Sequence, residues 1–257
     1  ADVARRAAGN GVTLLALTDH DDIAGLAPAR AAADELGMQF VSGVEISIEW
    51  ESLQVHIVGL NFDPAAQALN AGLAAIRGGR VDRAKRMSAE LEKVGIDNAF
   101  AGAMRFAENP NLISRAHFAR YLVEIGRCKD VRSVFESYLV PGKPGYVDHR
   151  WATLADSVGW ILGAGGVAVV AHPARYKLSS GAMRRMLGEF KDLGGQSIEV
   201  VSGSHSLDDV GTYGRLAREF GFLASRGSDF HGPKESYVDL GMLGYLPDGL
   251  KPVWSAF

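Results

Sequence analysis

Short apolar runs of strand length alternate with Ala- and Leu-rich stretches of helical length over most of this chain. Ala1 to Ala8 reads as a helix, closed by Gly9-Asn10-Gly11. Val12 to Leu17 is apolar except for Thr13, and it stops abruptly in Thr18-Asp19-His20-Asp21-Asp22. Ile23 to Leu36 is the next helix, halted by Gly37, and Gln39 to Ile46 and Leu53 to Leu60 follow as strands. Such continuous apolar strands are those of a sheet covered on both faces.

After Asp63-Pro64 the strand signal disappears. Ala65–Val94, Phe100–Phe106, Ile113–Ile125 and Val131–Tyr138 are all helical in pattern, and the turn-rich Pro141–Tyr146 closes the region. The β/α rhythm then resumes. Thr153–Leu162, Gly181–Leu193 and Ser206–Phe220 read as helices, and Val167–Ala171, Ser197–Val201 and Phe222–Ser225 as strands. The expected division is a barrel domain over 1–63 and 147–257 and a helical insertion, a cap, over 64–146. Six strands with helices between most of them predict an α/β chain closing as a β/α barrel. The chain opens on a helix, so the strand that should precede it is expected to be missing from this sequence. There is no internal repeat and no low-complexity segment.

Composition narrows the function classes. A net charge of −3 over 257 residues argues against a generally basic nucleic-acid coat. One cysteine, Cys128, excludes an internal disulfide framework and predicts a reducing, cytoplasmic setting. No apolar run approaches the ~20 residues of a membrane span, and the opening ADVARRAAGNG has no signal-peptide core. Neither a membrane nor a stable protein partner is expected. The 31 glycines suit a fold with many tight strand-to-helix turns.

Five of the seven histidines, His20, His56, His172, His205 and His231, sit within or just after predicted strands. In β/α barrels the C-terminal strand ends build the active site. Asp19, Asp21, Asp22, Glu45 and Asp229 share those positions, and imidazole with carboxylate is a ligand set for Zn, Mn or Fe. Each has a plainer reading. Asp19 or Asp22 could cap the next helix, and His56, alternating with Val55 and Ile57, could be a core histidine. Glu45 ends an apolar strand, where a buried carboxylate is costly unless paired or metal-bound. His172 ends the apolar run of Val-Val-Ala-His-Pro. Asp229 and His231 are alternate residues, which in an extended stretch point the same way. His205, in Ser-Gly-Ser-His-Ser, reads as a substrate contact, a ligand or an N-cap neighbour.

The insertion carries positive charge. Arg77, Arg80, Arg83, Lys85 and Arg86 crowd one helix, with Arg80 and Arg83 on a shared face. Ser114, Arg115, His117 and Arg120 open the next long helix, and Lys143 lies in the Pro/Gly loop. The plain reading is a solvated face; beside a metal cluster, the cations suggest phosphate recognition instead, with Ser114 at a helix N-terminus suited to the same anion. Clustered divalent metals activate a water and neutralise phosphoryl oxygens during in-line attack. No Gly-rich phosphate loop with Lys and Ser/Thr and no G-x-S-x-G elbow is present, and Cys128 has no nucleophilic setting.

L-T-D-H-D-D (Leu17–Asp22), G-V-E-I-S (Gly43–Ser47), H-I-V-G-L (His56–Leu60), A-H-P (Ala171–Pro173) and G-S-D-F-H (Gly227–His231) occur in one order. In this set the chain resembles the polymerase-and-histidinol-phosphatase (PHP) family of metal-dependent phosphoesterases. The segments Ile76–Ala84, Ile113–Arg120 and Tyr138–Val147 resemble its branch of 3′,5′-nucleoside bisphosphate phosphatases and 5′→3′ exoribonucleases. The resemblance implies a distorted (β/α)7 barrel with up to three metal ions, manganese first, with iron or zinc also compatible. It implies His20 and His231 on one metal with Asp229, Glu45 bridging two, and His56 and His172 on the second. His20, His172, Asp229 and His231 are then the catalytic set, and Arg80, Arg83, Ser114, Arg115, His117, Lys143 and His205 the substrate contacts.

The implied reaction removes the 3′-phosphate from a nucleoside 3′,5′-bisphosphate such as pAp. The alternatives are 5′→3′ trimming of RNA from a phosphorylated end, and a metal-poor nucleotide-binding module without catalysis. The family opens with a strand bearing D-L-H-x-H-S, and residues 1–20 hold no match to it. The sequence is accordingly expected to be an N-terminally incomplete version of a longer protein.

Overall fold

The computed structural model describes residues 1–107, 109–148, 151–233 and 236–257, with the side chain of Asn111 left aside. The chain divides into two compact units, Ala1–Leu73 with Ala152–Phe257, and Ala74–Trp151. The start of the expected insertion, through Leu73, thus belongs to the first unit. There Leu69 and Leu73 are fully buried, and Gly72 lies so close to Trp160 that a Cβ would approach the ring to 2.6 Å.

In the first unit the elements run α1 (Asp2–Gly9), β1 (Leu14–Leu17), α2 (Leu26–Glu35), β2 (Gln39–Trp50) and β3 (Leu53–Leu60). Helix α3 (Gln67–Glu92) begins there and leads into the second unit, which adds α4 (Ala99–Met104), α5 (Arg115–Glu124) and α6 (Val131–Val134). The chain then returns through β4 (Ala152–Thr153), α7 (Leu154–Gly163), β5 (Val167–Val170), α8 (Ser180–Asp192), β6 (Ser197–Ser202), α9 (Leu207–Phe220) and β7 (Leu223–Gly227). Reciprocal capping fixes several helix starts, among them Thr153 with Asp156 on α7 and Ser206 with Asp209 on α9.

The strands form one curled sheet in the order β1-β2-β3-β5-β6-β7, with β4 beside β2. Strand β3 runs antiparallel to both its neighbours, and the other ladders are parallel. Strand β2 extends past the expected Ile46 to Trp50 because it pairs with β3 from Gly43↔Leu60 to Trp50↔Leu53. The hairpin turns on Glu51 and Ser52, whose φ angles of 45° and 65° have the sense a type I′ turn requires.

No ladder joins β1 to β7 among the described residues. The sheet curls into a half-barrel, in keeping with the distorted barrel expected from the sequence. Val41, Val58, Leu60, Val167, Val169 and Ala171 form one core cluster of the sheet. A second, separate core in the helical unit gathers Met87, Leu91, Ile96, Ile113, Phe118 and Leu122.

Candidate metal centre

The parallel strands deliver their C-terminal ends to one place, and β3 enters it from the opposite direction. Glu45 comes from β2, His56 from β3, His172 from the residues after β5, and Asp229 and His231 from those after β7. The loop after β1 is stitched to β2 on both sides of Glu45. Glu45 N–H donates to Asp19 O (3.1 Å), Asp21 N–H donates to Glu45 O (2.9 Å), and Ser47 N–H donates to Asp21 Oδ1 (2.7 Å). His20, between them, bridges to Glu45.

Glu45 is the hub. It is 6% exposed. Its Oε1 lies 2.8 Å from His56 Nδ1 and 2.8 Å from His172 Nε2, and its Oε2 lies 3.4 Å from His20 Nδ1. Burial opposes its ionisation, but His20, His56 and His172 outweigh that and hold the carboxyl well below the usual carboxylate range. His56 Nδ1 and His172 Nε2 face each other at 3.3 Å.

Two overlapping groups follow. Ligand atoms of His20, Glu45 and His56 lie within 4.8 Å of one another, and so do those of Glu45, His172 and Asp229. Imidazole nitrogens converging on one buried carboxylate oxygen form a donor set that suits a borderline divalent cation. The buried Nδ1 of His172 has no hydrogen-bond partner among the described residues. The residues present fit a divalent metal.

His231 lies beside these groups, outside both: its ring is 5.7 Å from that of His20, and its Nδ1 is 2.9 Å from Asp229 O. Among the described residues, three of the eight non-glycine residues with positive φ are here, namely Asp21 (51°), His172 (25°) and Asp229 (54°). Such strain, concentrated at one place, is held by the surrounding structure. A cavity of about 670 Å³ is lined by Glu45, His172 and Asp229 together with apolar Leu15, Val58 and Leu60, a size ordinary for a small-molecule site.

Three supporting residues escaped the sequence reading. Glu199, on β6, accepts the His172 backbone N–H at 2.6 Å and so secures the strained turn. Burial, opposed by His172 and reinforced by Glu45 and Asp229, pushes its carboxyl up to about 7. Gly227 makes room for it: a Cβ there would stand 2.2 Å from Glu199 Oε1. The Tyr176 hydroxyl accepts the His56 N–H and donates to Ala171 O, each at 2.9 Å. Arg175 Nη1 donates to Asp229 Oδ2 at 2.6 Å. A signal for Glu199 was available, since it interrupts an apolar strand as Glu45 does.

His205 has both ring nitrogens against backbone groups. Its Nδ1 is 3.0 Å from Val200 O, and Ala174 N–H points to its Nε2 at 3.5 Å. Its ring stacks on Tyr213.

Within the helical unit the predicted cations form a second cluster. Arg80 and Arg83 stand over the Trp151 ring, at 4.6 and 5.9 Å from its centroid. Arg83 is only 9% exposed, and its Nε donates to Val147 O at 2.8 Å. Arg115 Nη1 reaches Leu139 O at 3.4 Å. Among the described residues neither Arg83 nor Arg115 meets a carboxylate. Burial, then repulsion from Arg115, Arg80 and Arg86, lowers the Arg83 guanidinium to about 10. Burial lowers Arg115 as well. Ser114 caps α5, its backbone N–H donating to His117 Nδ1 at 3.0 Å, so His117 has a local structural role. Lys143 is exposed in a turn.

A curled β/α sheet with imidazoles and carboxylates converging at its strand ends defines a metal-dependent hydrolase class. The comparisons make this particular. The chain is 54% identical to a 3′,5′-nucleoside bisphosphate phosphatase of Chromobacterium violaceum over 98% of its own length and 89% of that protein's. It is 40% identical to a 5′-3′ exoribonuclease of Haemophilus influenzae, covering 100% of this chain and 92% of the other. Among solved structures, a Chromobacterium violaceum amidohydrolase with bound sulfate and no metal matches with a TM-score of 0.91 and 54% identity, over 98% of this chain and 88% of that one. A Bifidobacterium adolescentis protein assigned as a metal-dependent phosphoesterase shares the fold, with a TM-score of 0.78 and 24% identity over 99% and 87% of the two chains. No protein-family model matches. The chain belongs to the PHP family of metal-dependent phosphoesterases, in the branch of the bisphosphate phosphatases and 5′-3′ exoribonucleases.

Proposed function

We propose that this protein hydrolyses the 3′-phosphate of nucleoside 3′,5′-bisphosphates such as pAp. A bond forms from a water oxygen to phosphorus as the bond to the 3′-oxygen breaks, leaving a nucleoside 5′-phosphate and inorganic phosphate. The observation that carries the reading is the convergence of His56 Nδ1 and His172 Nε2 on one Glu45 oxygen, each at 2.8 Å. His20, Glu45, His56, His172, Asp229 and His231 are the residues proposed to hold metal, manganese first, with iron or zinc compatible. A divalent metal bound there supplies positive charge against phosphoryl oxygens and acidifies water.

The chain's own groups do the rest. Glu199 and Tyr176 hold the backbones that present His172 and His56. In the helical unit, two guanidiniums that meet no carboxylate among the described residues repel one another until an anion joins them. Arg83 and Arg115, with Arg80 and Ser114 nearby, are proposed to bind a phosphate. His205 and His117 are better explained by their backbone contacts than by substrate. No helix among the described residues is long and apolar enough to cross a membrane. The lone Cys128 supports a reducing, cytoplasmic setting.

The test is phosphate release from pAp by protein of known metal content. Turnover that rises with bound Mn²⁺ and stops on chelation is expected; metal-loaded protein that releases none overturns the reading. The second reading is 5′→3′ exoribonuclease activity, which the Haemophilus influenzae relative favours. It predicts mononucleotides from a 5′-phosphorylated oligoribonucleotide. Nucleotide binding without metal or turnover would leave the binding-module reading.

A further inference from the structure

We infer that Arg175 is a phosphate-binding side chain of the metal centre, holding a phosphoryl oxygen of the group that is transferred. Arg175 stands three residues after His172, in the short turn Pro173–Tyr176. That turn is pinned. Arg175 N–H donates to His172 O (3.0 Å), and the Tyr176 hydroxyl ties its end to Ala171 and His56. Through Nη1 the guanidinium meets Asp229 Oδ2 at 2.6 Å, and Asp229 is in the group with Glu45 and His172. No other lysine or arginine pairs with Glu45 or Asp229 among the described residues.

The contact uses one arm of the fork. The Arg175 side chain is 48% exposed against 18% for Asp229. Among the described residues its remaining N–H groups have no acceptor. A planar guanidinium can keep a carboxylate on one nitrogen and offer the others to a phosphate in fork geometry. Two features leave room for an added anion beside the brace to Asp229: the guanidinium is half exposed, and only one of its arms is used. A cation drawing on Asp229 would also weaken that carboxylate's hold on Arg175 and free it further.

The inference rests on the phosphatase reading, and the experiment separates them. Inorganic phosphate binding to the Mn²⁺-loaded protein is measured by calorimetry for wild type, Arg175→Ala and Arg175→Lys, with metal content by elemental analysis and kcat and KM for pAp. Arg175→Ala is expected to keep its metal, bind phosphate about 10- to 100-fold more weakly, and lose about 100-fold in kcat/KM. Arg175→Lys should recover part of both. Phosphate affinity within about twofold of wild type would overturn the inference, as would a defect wholly accounted for by lost metal, which would make Arg175 only a brace for Asp229. If wild type releases nothing from pAp, the substrate reading falls, and the phosphate-binding comparison still decides Arg175.

Discussion

The two units hold clusters of opposite character. Around Glu45, basic nitrogens crowd a buried carboxylate and make its charge easy to keep. Around Arg83, like charges crowd a buried guanidinium and make its charge hard to keep. The first arrangement has more lone pairs than protons to share among them, the second more donors than acceptors. Each is incomplete in the way its ligand would complete it: a cation for the first, an anion for the second. Crowded like charge inside a folded unit costs stability, and that is the cost the proposed anion would relieve around Arg83.

The comparison breaks most severely at its hub. Glu45→Gln removes the anion common to both ligand groups, and about a 10³-fold loss of phosphate release is expected, with loss of bound metal in elemental analysis. Retained metal and turnover would exclude Glu45 from the centre. The next effect is on stability. The folded Glu199 carboxyl lies at about 7 against an ordinary 4.5, so the folded state holds that proton more tightly. For metal-free protein this contribution is complete below about pH 4.5 and is lost as pH rises through about 7, a fall of about 3 kcal/mol. Urea midpoints at pH 5 and pH 7.5 test it, and Glu199→Gln should flatten the difference.

On the other side, Arg115→Ala should raise KM for pAp about 10- to 100-fold with kcat nearly unchanged, as expected for a lost charge-assisted contact that is equal in ground and transition states. A fall in kcat alone would assign it differently. Arg83→Met sharpens the contrast because its two readouts move apart. Without anion it should stabilise the protein by about 1 kcal/mol, since an apolar replacement of similar length removes a crowded buried charge; with anion it should bind more weakly. Thermal melts with and without phosphate read both. Lys143→Ala, at an exposed turn, should change KM by no more than about twofold.

Most of the fold was legible because apolar runs and Gly stops carry it. The strands Leu53–Leu60 and Ser197–Ser202 are close to their expected spans. Strand β4 was not legible, since two residues have no period. Nor was the β2–β3 hairpin, because Glu51 and Ser52 belong to none of the residue types that usually mark a φ-positive turn. For the centre, the histidines and acids announced themselves by ending apolar strands. Glu199, Tyr176 and Arg175 act instead through a backbone amide, a hydroxyl bridge and one arm of an ion pair. Those are relations between segments, which no local pattern encodes; only Glu199, a carboxylate inside an apolar strand, left a mark in the sequence.

The ladder between β3 and β5 has a kinetic meaning. It joins Ile57↔Val170 through Leu60↔Val167 across roughly a hundred residues of intervening chain, while β2–β3 and β6–β7 pair over much shorter loops. Loop-closure entropy therefore falls most heavily on this seam and on the short β2–β4 ladder, Ile48↔Ala152, which spans the same insertion. His56 and His172 lie on the two sides of the β3–β5 seam, so the centre assembles only after the most non-local step of the sheet.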